Sequence, residues 1–229
     1  MDTSLLTELQ QARQDKRQVV LAVNLKTGAE RLLYPFETRE TSDLLEAARA
    51  ALNNDKPAEI ETAEGSVFLN IFNPKLRLFI VGAVHIAQCL VPIAAGADYD
   101  VTVIDPRRSF GSDFRFPDVT LDNRWPDEAL AELNPDRRTA IVTLTHDAKL
   151  DDPALRHALK SDAFYIGALG SNRTHTKRHD RLIEAGFTEA DFSRIHGPIG
   201  LDIGAKSPAE IAISIMAEIT AVLRQKAVK

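Results

Sequence analysis

The stretch LRLFIVGAVHIAQCL, residues 76–90, decides the fold of this chain. Its first six residues form an apolar run, broken only by Arg77, of the kind found in strands that are buried on both faces. Gly82 follows this run and precedes a helical pattern, and Asp105 ends the next apolar run 23 residues later. A strand, a glycine turn and a helix in this order predict a Rossmann-type βαβ unit, whose helix points its free N–H groups and its positive end at an anion.

The glycine fingerprint of this unit is incomplete. Val84 stands where a second glycine normally lets the backbone approach a pyrophosphate, and Ala87 stands at the third glycine position. The sequence leaves two interpretations open: a functional anion site and a purely structural βαβ turn.

Short apolar runs alternate with helical patterns from residue 76 onward. We predict strands at 76–81, 101–104, 140–144 and 164–166, with a further short strand near 119–121. Helix starts are predicted at Asp152-Pro153 and at Ser207, where Glu210 completes a capping box. The alternation predicts an α/β fold over residues 75–229, a Rossmann-like parallel sheet with flanking helices.

Residues 1–74 predict a different unit, a small α+β N-terminal domain. A polar helix is expected at its start, and a second helix is expected with Ser42 or Thr41 as its cap. Each helix is followed by a hairpin whose turn contains a glycine. Asn73-Pro74 marks the boundary, because the residue before a proline is disfavoured in a helix.

Composition excludes several classes of function. The 229 residues carry 28 Lys+Arg against 33 Asp+Glu, a net charge of -5, so no global basic field would attract nucleic acid or an anionic membrane. Cys89 is the only cysteine, which excludes a disulfide framework, a zinc knuckle and a cysteine-ligated iron–sulfur cluster.

No export signal is recognisable, and we expect a cytoplasmic protein. Residues 78–97 lack charges and are long enough to span a bilayer, but a strand, turn and helix explain them.

Polar candidates follow the predicted strands. Asp105 and Arg107 come after one strand, and Thr145, His146 and Asp147 come after another. Because the carboxyl ends of parallel strands meet at one edge of a sheet, we expect these side chains to lie on a common rim. His146 is a candidate for hydrogen bonding or proton transfer, and a structural role is the alternative.

A glycine-rich loop follows a third strand and leads into the most basic stretch of the chain. The loop contains Gly167, Gly170 and Ser171, and the basic stretch covers residues 172–181. Backbone N–H groups, a helix N-terminus and cations coincide there, which suits a phosphate, and Arg173 is the preferred ligand. For three other cations, a solvated helix face is favoured over a role as phosphate ligands: Lys177, Arg178 and Arg181.

Two further patterns carry alternatives. His175 and His179 have the i, i+4 spacing of metal ligands, but ordinary surface histidines give the same pattern. The loop at residues 197–205 holds Gly200 and Asp202, and it suits either close approach to a bound ring system or glycine packing.

These motifs together resemble the C-terminal domain of the XdhC/CoxI family over about residues 76–224: VGAVHIAQCL, VTVIDPR, RFP, LTHDAKLDDPAL, YIGALGSNR and PIGLDIGAKSPAEIAISIMAEI. The resemblance implies an accessory protein of molybdenum hydroxylases such as xanthine dehydrogenase and carbon monoxide dehydrogenase, rather than an enzyme. It implies transient binding of molybdenum cofactor, assistance in its sulfuration with a cysteine desulfurase, and its insertion into the apoenzyme.

The resemblance assigns cofactor binding to the rim. Helix N-termini at Ala83 and Ser171, with Arg173, would take the anionic groups, and the polar edges would meet Thr145, His146, Asp147 and Asp202. The spacing leaves open which group meets which end of the cofactor. The complete set of expected cofactor-binding residues is Gly82, Ala83, His85, Asp105, Arg107, Thr145, His146, Asp147, Gly167, Gly170, Ser171, Arg173, Gly200 and Asp202. No catalytic residue and no metal ligand is assigned.

The chain departs from the family pattern at two places. The family usually has Gly-Ala-Gly-His where this chain has Gly82-Ala83-Val84-His85, and a valine there would narrow or close the site. Family members also carry an N-terminal segment rich in glycine and serine that contains a cysteine, and residues 1–74 show none. We expect either a second XdhC-type polypeptide that supplies this function or a reduced paralogue.

Two alternative functions stay open. The Rossmann turn with Asp105 would also suit an NAD(P)-dependent oxidoreductase, which Val84 disfavours. A ligand-free scaffold that docks on a hydroxylase is the other alternative. We expect a homodimer, with no nucleic-acid or membrane partner.

Overall fold

The computed structural model describes residues 2–225. They divide into two compact units between Pro74 and Lys75.

The first unit is a four-stranded antiparallel sheet with two helices. Its strands lie in the order β2-β1-β4-β3. Successive residues of the first strand, Val19 and Val20, belong to separate apolar clusters, the former with Leu9 of the first helix and the latter with Leu52 of the second. The alternation of a strand therefore places one helix on each face of this sheet. Its elements are α1 (Thr3–Gln14), β1 (Val19–Asn24), β2 (Glu30–Leu33), α2 (Asp43–Asn53), β3 (Ala58–Thr62) and β4 (Gly65–Phe72).

The second unit is a six-stranded sheet in which all pairings are parallel, in the order β10-β9-β8-β5-β6-β7. Helices cover it, and the predicted α/β class with a Rossmann-like sheet is confirmed. Its elements are β5 (Leu76–Val81), α3 (His85–Gly96), β6 (Tyr99–Ile104), β7 (Thr120–Asp122), α4 (Pro126–Leu133), β8 (Thr139–Thr143), α5 (Ala148–Lys160), β9 (Tyr165–Ala168), α6 (Asn172–Glu184), α7 (Glu189–Phe192), β10 (Ile195–His196) and α8 (Pro208–Leu223).

Both faces of the large sheet are buried, which explains the continuous apolar run in β5. Leu78 and Ile80 pack in one cluster with α3 and α8, whereas Phe79 packs in the other with α4 and α5. Burying each such side chain contributes about 1.5–3 kcal/mol, so the central strand is a main source of stability.

The uncharged run at residues 78–97 is the end of β5, the Gly82 turn and α3. Across residues 2–225, no helix combines the length and the apolar character that a membrane span requires.

Two sequence expectations differ from the structure. β10 was not predicted, because a two-residue strand, Ile195–His196, leaves no periodic pattern. The predicted helix start at Asp152-Pro153 was wrong: α5 begins at Ala148, and the Asp147 side chain caps it by accepting the Lys149 N–H. The Asp152 carboxylate instead pairs with Arg181, with N–O distances of 2.6 and 2.9 Å.

The predicted capping box of α8 is confirmed. The Ser207 hydroxyl accepts the Glu210 N–H at 3.3 Å, and the Glu210 carboxylate accepts the Ser207 N–H at 2.9 Å. This box fixes the start of the helix whose Ile215 and Ile219 are fully buried against the sheet.

Replacing Ser207 by alanine removes the hydroxyl acceptor of the cap, and we expect it to lower the free energy of unfolding by about 1 kcal/mol. Urea unfolding followed by circular dichroism measures this change. Ser207→Asp keeps an acceptor at the same position and should stay close to the wild type, whereas equal destabilisation by both variants would contradict the role of the cap.

Candidate functional site

The loops that follow β5, β6, β8 and β9 emerge at the same edge of the large sheet, because these strands are parallel neighbours. The first of these loops approaches its neighbour closely at Gly82, which has a φ of +112°. A Cβ atom there would lie 2.7 Å from Cγ2 of Thr145, so only glycine fits without displacing the loop after β8.

Asp105, which follows β6, connects the β5–α3 turn to the loop after β6 through hydrogen bonds. Its side chain is fully buried. One carboxylate oxygen accepts the Ala83 N–H at 2.8 Å and Nη2 of Arg107 at 2.8 Å, and the other accepts Nε of Arg107 at 2.9 Å and the Arg107 N–H at 3.0 Å. Both carboxylate oxygens are therefore hydrogen-bonded within the protein.

The charge state of Asp105 follows from these contacts. Burial by itself raises the pKa of Asp105, but the hydrogen bonds from Arg107 and from the Ala83 N–H outweigh burial and hold this pKa below its ordinary value. The same carboxylate raises the pKa of Arg107, so the pair stays ionised.

The loop after β6 lies against the Gly82 turn. Nη1 of Arg115 donates to the Ala83 carbonyl at 2.9 Å and to the Phe110 carbonyl at 2.8 Å, and Nη2 of Arg115 donates to Gln88 of α3 at 2.9 Å. Val84 packs against the apolar core beside this turn. The part of the rim next to β5 and β6 is therefore covered by the chain itself.

The loop after β8 is organised by Thr145 and Asp151. The Thr145 hydroxyl donates to Oδ1 of Asp151 at 2.6 Å and accepts the Asp147 N–H at 3.0 Å. Asp151 is 2% exposed, and this burial raises its pKa above the ordinary value. The carboxyl group is therefore easier to protonate than a surface aspartate.

The loop after β9 turns sharply into α6. Gly170 has a φ of +145°, and a Cβ atom there would lie 2.9 Å from the Thr174 side chain. The Ser171 side chain caps α6 by accepting the Thr174 N–H at 3.3 Å. The first turn of α6 is thus fixed beside the loop after β8.

A pocket of about 150 Å³ lies between the start of α5 and the first three turns of α6. Its cations differ in their pairing: Arg181 is bonded to Asp152, whereas Arg173 and Lys177 are exposed and form no ion pair within the described part of the chain. The lining residues are His146, Ala148, Asp151, Arg173, Thr174, Lys177, Arg178 and Arg181.

Arg178 is the unusual member of this pocket. It is 2% exposed, its Nη2 donates to the Leu169 carbonyl at 2.8 Å, and its Nη1 lies 3.3 Å from Nδ1 of His175. The buried Nε has no hydrogen-bond partner in the described structure. Burial lowers the pKa of Arg178, although its ordinary value is high enough that the side chain remains a cation.

The interpretation of Arg178 as part of a solvated helix face was wrong. Leu182 is fully buried on α6, and Arg178 precedes it by four residues, so both lie on the inner face of the helix. Sequence reasoning also missed Asp151, which lies four residues after the Asp147 cap. The helical spacing from Leu182 could have indicated the position of Arg178, whereas no sequence signal distinguishes the buried Asp151 from a surface carboxylate.

Of the expected cofactor-binding residues, His146 and Arg173 line this pocket, and Thr145 and Asp147 lie in the loop that forms its wall. Gly170 and Ser171 form the turn at its other side. The remaining residues lie outside the lining: Gly82, Ala83, His85, Asp105, Arg107, Gly167, Gly200 and Asp202.

The structure shows a packing contact for two of these outlying glycines. A Cβ atom on Gly167 would lie 2.5 Å from Cδ1 of Ile199, and one on Gly200 would lie 2.4 Å from Oγ of Ser214. The Gly200 N–H also donates to Glu218 of α8 at 2.8 Å. Asp202 follows in the same loop and is exposed.

The two histidines with ligand spacing contact an aromatic ring. His175 and His179 both lie against Phe192, with ring centroids 4.7 and 4.8 Å apart respectively. Between residues 2 and 225, no group of three or more His, Cys, Asp and Glu side chains is arranged to hold a metal ion.

Comparison with known proteins relates this chain to a family. Residues 78–219 match the family described as the XdhC Rossmann domain. An Escherichia coli protein named "Molybdenum cofactor insertion chaperone PaoD" is 32% identical over 151 residues, which cover 66% of this chain and 41% of that protein. A Bacillus subtilis protein, named as a probable subunit of xanthine dehydrogenase, is 32% identical over 165 residues, which cover 71% of this chain and 48% of that protein. The chain thus spans less than half the length of these two relatives.

A solved structure shares the fold. The crystal structure of a xanthine dehydrogenase from Bacillus halodurans matches with a TM-score of 0.68 and 24% sequence identity, over 98% of this chain and 68% of that chain.

Replacing Asp105 by asparagine removes the charge that holds Arg107, and we expect it to lower the free energy of unfolding at pH 7 by about 2 kcal/mol. Because the folded-state pKa of Asp105 lies below the unfolded value of about 3.9, this stabilisation is complete above that value and is lost as the pH falls through the folded pKa. Urea unfolding at a series of pH values from 7 down to 3 measures the difference.

Asp113→Asn is the matched control, since Asp113 is exposed on the same loop. It should change stability little at any pH. If the difference in the free energy of unfolding between the wild type and Asp105→Asn stayed constant as the pH falls, the ionised pair would not be its source.

We also expect no saturable binding of NADH. A dinucleotide site needs a carboxylate that is free for the ribose and N–H groups that are free for the pyrophosphate, whereas Asp105 is buried and the Ala83 N–H is already bonded to it. Fluorescence titration with NADH measures binding. Val84→Gly restores the missing glycine but leaves Asp105 occupied, so this variant should not bind either, and saturable binding by one of the two proteins would refute the argument.

Proposed function

This chain belongs to the XdhC family, and from this membership we propose that it is an accessory protein of a molybdenum hydroxylase, which carries molybdenum cofactor to the apoenzyme. Its role is delivery of a cargo rather than turnover of a substrate. The client is an enzyme of the xanthine dehydrogenase or carbon monoxide dehydrogenase type.

The observation that carries this proposal is the similarity to the E. coli protein named as a molybdenum cofactor insertion chaperone. The family match at residues 78–219 includes every residue that lines the pocket beside α6. A pocket rich in cations, at the edge of a parallel sheet, suits a cargo with anionic groups.

The sulfuration step needs a sulfur donor. Cys89, the chain's single cysteine, is partly buried and packs against the apolar core of α3 and α8. We therefore assign sulfur donation to a cysteine desulfurase, and the role of this chain is to hold and shield the cofactor meanwhile. A second XdhC-type polypeptide would supply the cysteine segment that residues 1–74 lack.

Anaerobic incubation of the purified chain with molybdenum cofactor, followed by gel filtration, tests the proposal. We expect molybdenum and pterin fluorescence to elute with the protein and to decrease when molybdenum-free apoenzyme is added, because the apoenzyme is the final acceptor. Serum albumin serves as the control acceptor and should leave the cofactor on the chain.

Two results would count against the proposal. Elution of all cofactor in the small-molecule fraction would show that the chain alone does not carry it. Capture by Val84→Gly, but not by the wild type, would show that the valine closes the site and would favour the scaffold alternative.

A further inference from the structure

The pocket beside α6 contains a buried cation whose hydrogen-bonding capacity is incompletely used. Arg178 is 2% exposed, yet its Nε has no partner in the part of the chain that the structure describes. An unsatisfied buried donor on a charged group is costly, and such groups in native structures call for a specific explanation. A ligand that increases the negative charge next to this guanidinium would offset part of that cost.

The charges around the pocket favour an anion. Arg173 and Lys177 lie on one face of α6 at i, i+4, and both are free of ion pairs among the described residues. Asp151 is the only acidic side chain in the lining, and one of its oxygens is already bonded to Thr145. Positive charge therefore exceeds negative charge at this point, although the chain as a whole carries a net charge of -5.

The size of the pocket limits what it can hold. Sites that enclose a whole organic ligand have volumes from about 300 Å³ upward, whereas this pocket has about 150 Å³. It therefore encloses a small tetrahedral group but not a whole pterin cofactor. Arginine and lysine side chains around a helix N-terminus are the usual ligands of a phosphoryl group.

We propose that this pocket binds a phosphoryl group, namely the terminal phosphate monoester of the pterin cofactor, through Arg173, Lys177 and Arg178. The identity of the phosphoryl donor molecule rests on the proposed function, whereas the anion pocket itself does not. The pterin ring then lies outside the pocket, and Arg178 positions the phosphoryl group from beneath.

Titration calorimetry with inorganic phosphate tests the pocket without the cofactor. We expect one phosphate per chain, about tenfold weaker binding in Arg173→Ala or Lys177→Ala, and about hundredfold weaker binding in the double variant, since each variant loses one charge-assisted hydrogen bond. Both side chains are exposed, so the variants should fold normally.

The matched controls are Arg156→Ala and Lys160→Ala, which remove the same charges from exposed positions of α5 outside the pocket lining. They should bind phosphate like the wild type. If phosphate binding weakened equally in the controls and in the pocket variants, the effect would come from net charge alone and the proposal would be overturned. A wild type that does not bind phosphate would also overturn it.

A second arm with molybdenum cofactor separates this proposal from the proposed function. Retention by the wild type and loss by the double variant would support both. Equal retention by the wild type and the double variant would leave the carrier function standing and overturn the assignment of the cofactor's phosphate to this pocket. Phosphate binding with the expected variant pattern, but no retention of cofactor by any variant, would support the anion pocket and contradict the carrier function.

Discussion

The parallel pairing of the six strands is the constraint on which the rest of the second unit depends. A parallel sheet buries both of its faces, and the loops after its strands must all emerge at one edge. Four of those loops, after β5, β6, β8 and β9, lie side by side along the chain's polar rim. The close approach of Gly82 to Thr145 shows how little space separates neighbouring loops.

Two adjoining parts of this rim differ in how far their polar groups are bonded to the protein itself. Next to β5 and β6, the Asp105 carboxylate binds the Ala83 N–H and Arg107, and Arg115 binds the Ala83 carbonyl. These bonds occupy the carboxylate and one of the N–H groups that a dinucleotide would require. Next to β8 and β9, cations surround a small pocket, and Arg173 and Lys177 among them form no ion pair within the described residues.

Ion pairing explains why only part of the basic stretch is available. Arg181 reaches the Asp152 carboxylate of α5 and joins the two helices, whereas Arg178, one turn earlier, lies beneath the pocket. Arg173 and Lys177 project at the surface without such partners among the described residues. Helical spacing places the four cations at different depths, and depth decides whether each one packs inside the fold or is exposed to solvent.

The sequence by itself determined the parallel sheet, the positions of its main strands along the chain, the capping box at Ser207 and the glycine turns, because periodicity and turn chemistry are local properties of the chain. It also placed His146 and Arg173 near one edge. Only the tertiary structure decided that the Asp105 carboxylate is hydrogen-bonded to Arg107 and to the Ala83 N–H. It also decided that Asp152 pairs with Arg181 rather than capping a helix, and that Arg178 is buried. These outcomes depend on which distant side chains pack together, and burial and partners set the charge and availability of a polar group.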